Sequence, residues 1–323
     1  MSKAQIVSDA LSEAECTDPC DGMRLIRGGE FLLGSDRHYP EEGPTHRVRL
    51  EDFWIDETPV TNAQFAKFVA STNYVTTAEK PPNAADYPGI LPDMLQAASL
   101  VFVPPSGPVA LTDFSWWHMI PGADWLHPRG PTDSIEGLEC HPVVHISFED
   151  AEAFALWAGK ALPIESEWEV AARGGLEGAD YAWGSALEPD GRRLANYWQG
   201  EFPWRNIAPR NQQSTSAVRS FPANGYELYD MIGNVWEWTS DWYGDHKPPS
   251  RGCCVPVNPR GGSEAGSYDA DMPDFQIGRR VLKGGSHLCA PNYCQRYRPS
   301  ARLAQPVDTS TSHVGFRCIV RRS

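Results

Sequence analysis

Cys289 and Cys294 stand five positions apart in KGGSHLCAPNYCQRYRPSAR, residues 283–302. The Gly, Pro and Arg content of this stretch argues against one continuous helix or strand and places the two thiols on a loop. Three chemistries suit such a pair: a small disulfide closed across a turn, half of a zinc site, or a two-thiolate site for a softer metal. A structural zinc site wants four ligands in a tetrahedron, and no third or fourth Cys or His stands at ligand spacing here. Low coordination by soft sulfur suits Cu(I) instead. The disulfide stays open on spacing alone.

Other chemistry-bearing residues read more plainly. His141 and His145 in HPVVH are four apart, but Pro142 argues against the helix that would align them on one metal. Cys253 and Cys254 are adjacent in a Pro- and Gly-rich segment and read as free thiols. Trp236, Trp238 and Trp242 read as core, with room for one of them at the edge of a groove.

The chain that must position the pair has 323 residues, 41% of them hydrophobic, with 12 Trp, 12 Phe and 11 Tyr. That is enough to bury a large aromatic core in one large domain or two ordinary ones. Its 28 Gly and 28 Pro make about 17% of the residues and are spread along the chain, above the usual share of roughly 12%. Many turns and little regular secondary structure are expected. No period of 20 to 50 residues signals a solenoid or propeller.

A formal charge of −14, from 42 acidic and 28 basic residues, repels phosphate backbones and anionic lipid surfaces, so no nucleic acid or membrane partner is expected. The first twenty residues, MSKAQIVSDALSEAECTDPC, hold no apolar run of secretory length. No later stretch approaches the roughly 20 apolar residues of a membrane span, so a soluble, cytoplasmic protein is expected. Eight cysteines are too sparse for a small disulfide scaffold, and a reducing compartment keeps most of them as thiols. Residues 1–22 read as a flexible lead-in and 23–323 as a single domain.

Three short helices are legible. Thr61 and Gln64 form a capping box ahead of Phe65, Phe68 and Val69, which share a helical face. Ser147 caps a second helix carrying Ala151, Phe154, Ala155 and Ala158, which stops at Gly159. A third runs from about Glu165 to Arg173 and ends at Gly174 and Gly175. Strand signals are short: Val48 and Leu50 alternate with Arg47 and Arg49, and VVHIS and GFRCIVRR have the β-branched content of buried strands. The segments from Lys80 to Pro108 and from Gly244 to Arg279 read as long excursions. The fold class is α+β with much irregular structure.

Read in order, GGEFLLGSD, FWIDETPVTNAQFAKFV, GADWLHPRGP, HPVVHISFEDAEAFALWAGKALPIESEWEVAARGG, ANYWQGEFP, NGYELYDMIGNVWEWTSDWY, the cysteine-bearing stretch and HVGFRC resemble the formylglycine-generating enzymes, or sulfatase-modifying factors. GNVWEW and GFRC occur throughout the wider superfamily; the cysteine pair is the discriminating feature. The resemblance implies a variant of the C-type-lectin-like fold. It also implies oxidation of a cysteine in a Cys-x-Pro-x-Arg motif of a sulfatase polypeptide, unfolded or nascent, to Cα-formylglycine by O2 and a thiol reductant.

The family's two active-site cysteines fall on Cys289 and Cys294, an active-site serine on Ser286 and a tyrosine on Tyr293. The substrate thiol then offers a third sulfur to Cu(I), with O2 beside it. No side chain oxidises a C–H bond alone, so a redox cofactor is required. Asp230, Gly233, Val235 and Glu237 match a calcium site of the family, with carboxylates from the outer two and backbone carbonyls from the inner two.

Departures from the family also carry expectations. The cysteine of GFRC, here Cys318, is disulfide-bonded in secreted members to a position that is Ala155 here. A second bridge there joins positions that are Ala172 and Pro299. Both losses fit a reduced compartment. Ile164 replaces a frequent capping Thr, at a cost of about 1 kcal/mol unless another group caps the helix. Arg210 stands where a first calcium site has an acidic side chain, so one calcium site is expected. Besides the copper oxidase, a non-catalytic or differently catalytic relative that binds ligands on the same scaffold is open. An iron-dependent sulfoxide synthase needs a histidine facial triad and normally a separate helical domain, and the sequence offers neither.

Overall fold

The computed structural model describes residues 20, 22–92, 95–246 and 255–321. Local signals set the three α-helices of the described residues: α1 (Asn62–Thr72), α2 (Phe148–Trp157) and α3 (Glu165–Arg173). Thr61 Oγ1 accepts the Gln64 N–H at 3.3 Å and Gln64 Oε1 accepts the Thr61 N–H at 2.9 Å. Ser147 and Asp150 repeat that exchange at the head of α2. Phe65 and Phe68 then meet Phe154 of α2 at ring separations of 5.9 and 5.6 Å, which joins the first two helices.

At α3 the capping group comes from elsewhere. Ile164 has no acceptor, but Asp241 Oδ2 accepts the Glu165 N–H and Glu167 accepts the Ile164 N–H, both at 2.8 Å. Two donors at the head of the helix are thus satisfied, which offsets part of the cost expected at Ile164.

The strands, in chain order, are β1 (Met23–Ile26), β2 (Gly29–Leu33), β3 (His46–Leu50), β4 (Phe53–Asp56), β5 (Ala98–Phe102), β6 (Trp117–Pro121) and β7 (Gly200–Glu201). They continue with β8 (Arg205–Asn206), β9 (Trp236–Trp242), β10 (Arg279–Lys283), β11 (Arg302–Pro306), β12 (Val314–Gly315) and β13 (Ile319–Val320). Two sheets have the orders β1-β4-β13 and β11-β10-β9-β12, and three hairpin pairs complete the set: β2-β3, β5-β6 and β7-β8. Only β12 against β9 is parallel among the pairs of named strands. This is the α+β fold with little regular secondary structure that the composition implies.

Two strand expectations need correcting. VVHIS is buried but is not a strand: His145 has φ 60°, a left-handed conformation that cannot continue a ladder. Its ring is anchored instead by Ser99 Oγ at Nδ1 and the Pro128 carbonyl at Nε2. His141 faces Thr215. GFRCIVRR divides into β12 and β13, which belong to different sheets, so one short segment ties the two together. Of the excursions, Lys80–Pro108 contains β5. The second is described only in part, and Cys253 and Cys254 lie outside the described residues, as does most of the expected lead-in.

Trp236 and Trp238 are buried as expected, and Trp242 partly so. The interior also holds charges, and several are met by opposite ones. Arg317 grips Glu237 at 2.7 and 2.8 Å, Lys283 meets Glu169 at 3.0 Å, Arg302 holds Glu165 through two bonds of 2.8 Å, and Arg298 pairs with Glu42. A buried charge left unpaired costs several kcal/mol, so these contacts fix how distant segments meet. Cys318 is fully buried and unpaired, in the same apolar core as Ala155, where a thiol behaves as a small hydrophobe.

Candidate active site

The loop after β10 begins with Lys283, Gly284 and Gly285. Gly285 has φ 72°, and a Cβ there would stand 2.6 Å from the Arg296 carbonyl oxygen. The missing side chain lets the start of the loop lie against its return. Between them the chain closes on itself, with the Cys289 N–H donating to the Ser286 carbonyl at 3.0 Å, Tyr293 N–H to the Ala290 carbonyl at 3.1 Å and Ala290 N–H to the Cys294 carbonyl at 3.0 Å. That closure brings Cys289 Sγ and Cys294 Sγ to 3.2 Å, well beyond the roughly 2.05 Å of a disulfide.

Ser286 acts on this geometry through its backbone. Its N–H points at Cys289 Sγ at 3.5 Å, and its hydroxyl oxygen accepts the Leu288 N–H at 3.2 Å. Trp198 N–H holds the Cys289 carbonyl at 2.9 Å. Tyr293 lies flat on Phe202, with centroids 4.4 Å apart and planes 5° apart, and Trp116 meets its edge at 5.7 Å. Trp116, Trp198, Phe202, Leu288 and Ala290 make a second apolar cluster around the loop. The indole N–H groups of Trp116 and Trp198 are buried without a hydrogen-bond partner, an unusual state for a folded interior and one that functional sites tolerate.

The two sulfurs are electrostatically unlike. Cys294 is brought down to about 6, first by the hydrogen bond from the Cys289 thiol and then, against burial, by the Arg296 charge. Burial and the neighbouring Cys294 push Cys289 well above the ordinary thiol range. At neutral pH the pair is therefore a thiolate at Cys294 receiving a hydrogen bond from a thiol at Cys289. Arg296 Nη1 lies 4.0 Å from Cys294 Sγ. Its other nitrogens bind Glu41 at 2.5 and 3.2 Å, and its plane lies over the Tyr39 ring at 3.9 Å.

Sequence reasoning missed this clamp. Arg296 stood inside the singled-out stretch, but Tyr39 and Glu41 are about 255 residues away, and nothing local links them to it.

Among the described residues no group of three or more His, Cys, Asp or Glu side chains is arranged to hold a metal, so none of them completes a four-ligand zinc site on the pair. Two soft sulfurs facing one another, one already a thiolate, fit Cu(I). Two buried histidines, His145 and His287, and the partly buried His313 are held neutral by desolvation, and among the described residues they form no metal-holding triad.

The residues expected to take calcium lie apart from the sulfurs. Glu237 Oε2 accepts Trp168 Nε1–H and Arg317 Nε–H at 2.7 Å each, and Oε1 accepts one bond from Arg317. That leaves a lone-pair direction open on Oε1. Asp230 Oδ2 accepts the Arg219 N–H at 2.8 Å, and Asp230 lines a cavity of about 40 Å³. Burial, aided by the Glu237 charge, raises Asp230 to about 6. A buried carboxylate unsettled by a second one fits a hard cation with oxygen ligands. Gly233 and Val235 stand in the turn between them, Gly233 at φ 76°. Arg210 is exposed in the 3-10 turn Arg210–Gln212.

A sulfatase-modifying factor enzyme 1-like domain matches residues 8–322. A formylglycine-generating enzyme of Mycobacterium tuberculosis is 50% identical over 298 residues, 91% of this chain and 96% of its own. One of Thermomonospora curvata is 43% identical over 307 residues, 92% of each. The structure of PvdO from Pseudomonas aeruginosa is alike in fold, with a TM-score of 0.58 at 21% identity, covering 92% of this chain and 93% of that one. With its domain match spanning nearly the whole chain and its cysteine loop closed as described, the chain belongs to the sulfatase-modifying factor enzyme 1-like family, with the lectin-like fold variant that its motifs imply.

Proposed function

We propose that this chain is a copper-dependent oxidase that converts the cysteine of a Cys-x-Pro-x-Arg motif in a sulfatase polypeptide to Cα-formylglycine, with O2 as oxidant and a thiol as reductant. The formylglycine-generating relatives, each matched over about nine-tenths of this chain, support the cysteine-to-formylglycine conversion. The observation that carries the finer reading is the facing pair, Cys289 and Cys294, on a loop that holds them unbridged.

The balance of the reaction sets what the site must handle. The substrate carbon loses its C–S bond and one C–H bond, and the sulfur departs as H2S. The aldehyde carries one of the two oxygen atoms in the net balance. The other is accounted for by one water, and two external thiols supply two electrons and two protons and pair as a disulfide. Copper(I), when held by the two sulfurs, supplies the redox chemistry with O2 that no side chain possesses.

The chain's own residues do the rest. The Cys294 thiolate and Cys289, which must give up its proton on metal binding, would hold the metal, with the substrate's own sulfur offered as a third donor. Ser286 fixes Cys289 in place. The Arg296 charge offsets the negative charge gathering on sulfur. Tyr293, pushed up to about 12 by burial and the nearby sulfurs, keeps its proton and, with Trp116, Trp198 and Phe202, walls the site with apolar surface against water.

Calcium at Asp230, Gly233, Val235 and Glu237 belongs to the same reading as a structural ion, one per chain. What supports it is the pair of buried carboxylates with an unfilled oxygen direction. A reducing, cytoplasmic setting is supported by the unpaired state of Cys140, Cys289, Cys294 and Cys318. No helix among the described residues is long and apolar enough to cross a membrane.

The test has two arms. Copper-loaded protein, a Cys-x-Pro-x-Arg peptide, air and a thiol should give the mass loss of a thiol-to-aldehyde exchange at that cysteine. Anaerobic Cu(I) titration against a chromophoric chelator should show far weaker binding in Cys289→Ser and Cys294→Ser, with turnover falling by orders of magnitude and the fold intact. Unchanged copper affinity in both variants, or full turnover by metal-free protein with a copper chelator present, sinks the copper reading. Wild-type protein that binds the peptide without converting it would favour the ligand-binding module.

A further inference from the structure

Behind the sulfur loop stands a run of rings that the chemistry proposed above does not use. Tyr297 is buried, and its backbone lies against Gly285, next to Ser286, whose N–H points at Cys289 Sγ at 3.5 Å. Burial first, then the charges of Tyr181, Cys289 and Tyr197, push the Tyr297 phenol up, so its hydroxyl lies within the field of the sulfur. Its ring stands 4.7 Å from that of Tyr197 and 6.4 Å from that of Tyr181, and Tyr181 stacks on Trp183 at 5.8 Å with planes 12° apart. These separations are those of packed aromatic pairs. Tyr181 and Trp183 are partly exposed, so the run leads from the buried pair to solvent.

Phenol and indole rings are, with sulfur, the side chains that give up single electrons most readily, and an oxidised phenol must shed its proton. Tyr197 has a place for it: its hydroxyl donates to Glu188 Oε1 at 2.5 Å, and Glu188 is exposed. The cluster on the other side of the loop serves this less well. There Tyr293 stacks on Phe202, whose ring resists oxidation, and on Trp116, whose indole N–H has no partner to take its proton.

We infer that Tyr297, Tyr197, Tyr181 and Trp183 form a one-electron relay between the sulfur pair and the surface. When a sulfur of the pair has lost one electron, an electron passes to it from Tyr197 by way of Tyr297. The sulfur becomes a thiolate again, the Tyr197 proton moves to the Glu188 carboxylate, and Tyr297 ends as it began. An external thiol then gives an electron at Trp183, Glu188 returns the proton to Tyr197, the thiol's own proton goes to water, and two thiols so oxidised pair as a disulfide. The reductant's electrons thus reach the pair while the substrate's sulfur occupies the approach to it. The relay rests on the oxidase reading only for the oxidation that the pair meets, and it is tested without copper, so the two fail separately.

Pulse radiolysis of reduced, copper-free protein in azide solution makes azide radicals, which take one electron from exposed indole and phenol rings. Because Cys289 Sγ and Cys294 Sγ face each other at 3.2 Å, a vacancy that reaches them is held as a disulfide radical anion, which has its own visible absorption. In wild type the indolyl and phenoxyl bands should decay as the sulfur band grows, at a rate independent of protein concentration, and Cys294→Ser should show no sulfur band. Tyr297→Phe and Tyr181→Phe keep the ring and lose the phenol, and each should slow that growth by about tenfold or more. Trp157→Phe removes an indole that is 43% exposed on α2, outside the relay, and should change the rate by less than about twofold. Glu188→Gln, which takes up no proton, should lower the phenoxyl yield.

An unchanged rate in both tyrosine variants overturns the relay. So does the absence of a sulfur band in wild type, or its persistence in Cys294→Ser. Relay behaviour as expected, with no oxidation of a Cys-x-Pro-x-Arg peptide by copper-loaded wild type, upholds this inference and overturns the oxidase reading instead.

Discussion

Arg296 faces Cys294 with one nitrogen, at 4.0 Å, and gives its others to Glu41 at 2.5 and 3.2 Å. The guanidinium cannot turn away without leaving a partly buried carboxylate unpaired. In reduced, metal-free protein, iodoacetamide should therefore modify Cys294 first, with a half-maximal rate near pH 6, the value to which the Cys289 hydrogen bond and Arg296 bring it. Cys289, buried and pushed well above the usual range, should stay unmodified through neutral pH. Arg296→Met removes a favourable charge and moves the Cys294 midpoint upward. Mass spectrometry of the adducts across pH checks this, and prior labelling of Cys289 would contradict it.

Calcium uptake should expel a proton in a defined window. Without the ion, burial and the Glu237 charge keep Asp230 protonated up to about pH 6. A dication needs the carboxylate, so at pH 6 binding releases about half a proton per chain and at pH 8 almost none, and affinity falls as pH drops below 6. Calorimetry in buffers of different ionisation enthalpy reads the proton count. Metal analysis after dialysis should give close to one equivalent, lost in Asp230→Ala. Two tight equivalents would show that Arg210 does not block a second site.

Asp241→Ala strips the head of α3 of the acceptor for the Glu165 N–H and releases Arg260, which it holds at 2.8 Å. The loss should be about 1–2 kcal/mol in urea unfolding. Asp241→Asn keeps an acceptor and should recover part of it. Wild-type stability in the alanine variant would mean that Glu167 caps the helix alone.

His145, His287 and His313 resist protonation: burial lowers the first two to about 4 and the third to about 3. In the unfolded chain each titrates near 6.5. Between pH 6.5 and 4 the unfolded chain therefore takes up protons that the folded one refuses, and stability falls on acidification by up to about 1.4 kcal/mol per pH unit for each histidine. Asp230, raised to about 6, works in the opposite sense, so the clean comparison is with a variant. His313→Gln should flatten the slope by about one proton's worth in urea midpoints measured from pH 4.5 to 7. Parallel slopes would show that His313 does not titrate as its burial implies.

The sequence was most readable where the physics is local. The Thr61–Gln64 and Ser147–Asp150 boxes and the glycine stop at Gly174 involve neighbours within a turn, and all three helices stand where those signals put them. The cysteine pair was legible because spacing and chemical softness are themselves sequence properties. What escaped detection depends on partners far along the chain. Asp241 caps a helix 76 residues away, and Glu41 reaches Arg296 across 255. VVHIS reads as a strand by composition, but His145 takes a left-handed turn so that its ring can reach Ser99 and Pro128, a tertiary demand that overrides β-propensity.

The pairing of Glu42 with Arg298, 256 residues apart, and the insertion of β13 beside β4 set a schedule for biosynthesis. A ribosome-bound chain lacking its last few dozen residues has neither the partner for Glu42 nor the return limb of the cysteine loop. Contacts of such sequence separation form late, after loop-closure entropy has been met. The facing thiols therefore form only once the segment through Arg298 has emerged, so a chain terminated before that point lacks the paired sulfurs altogether.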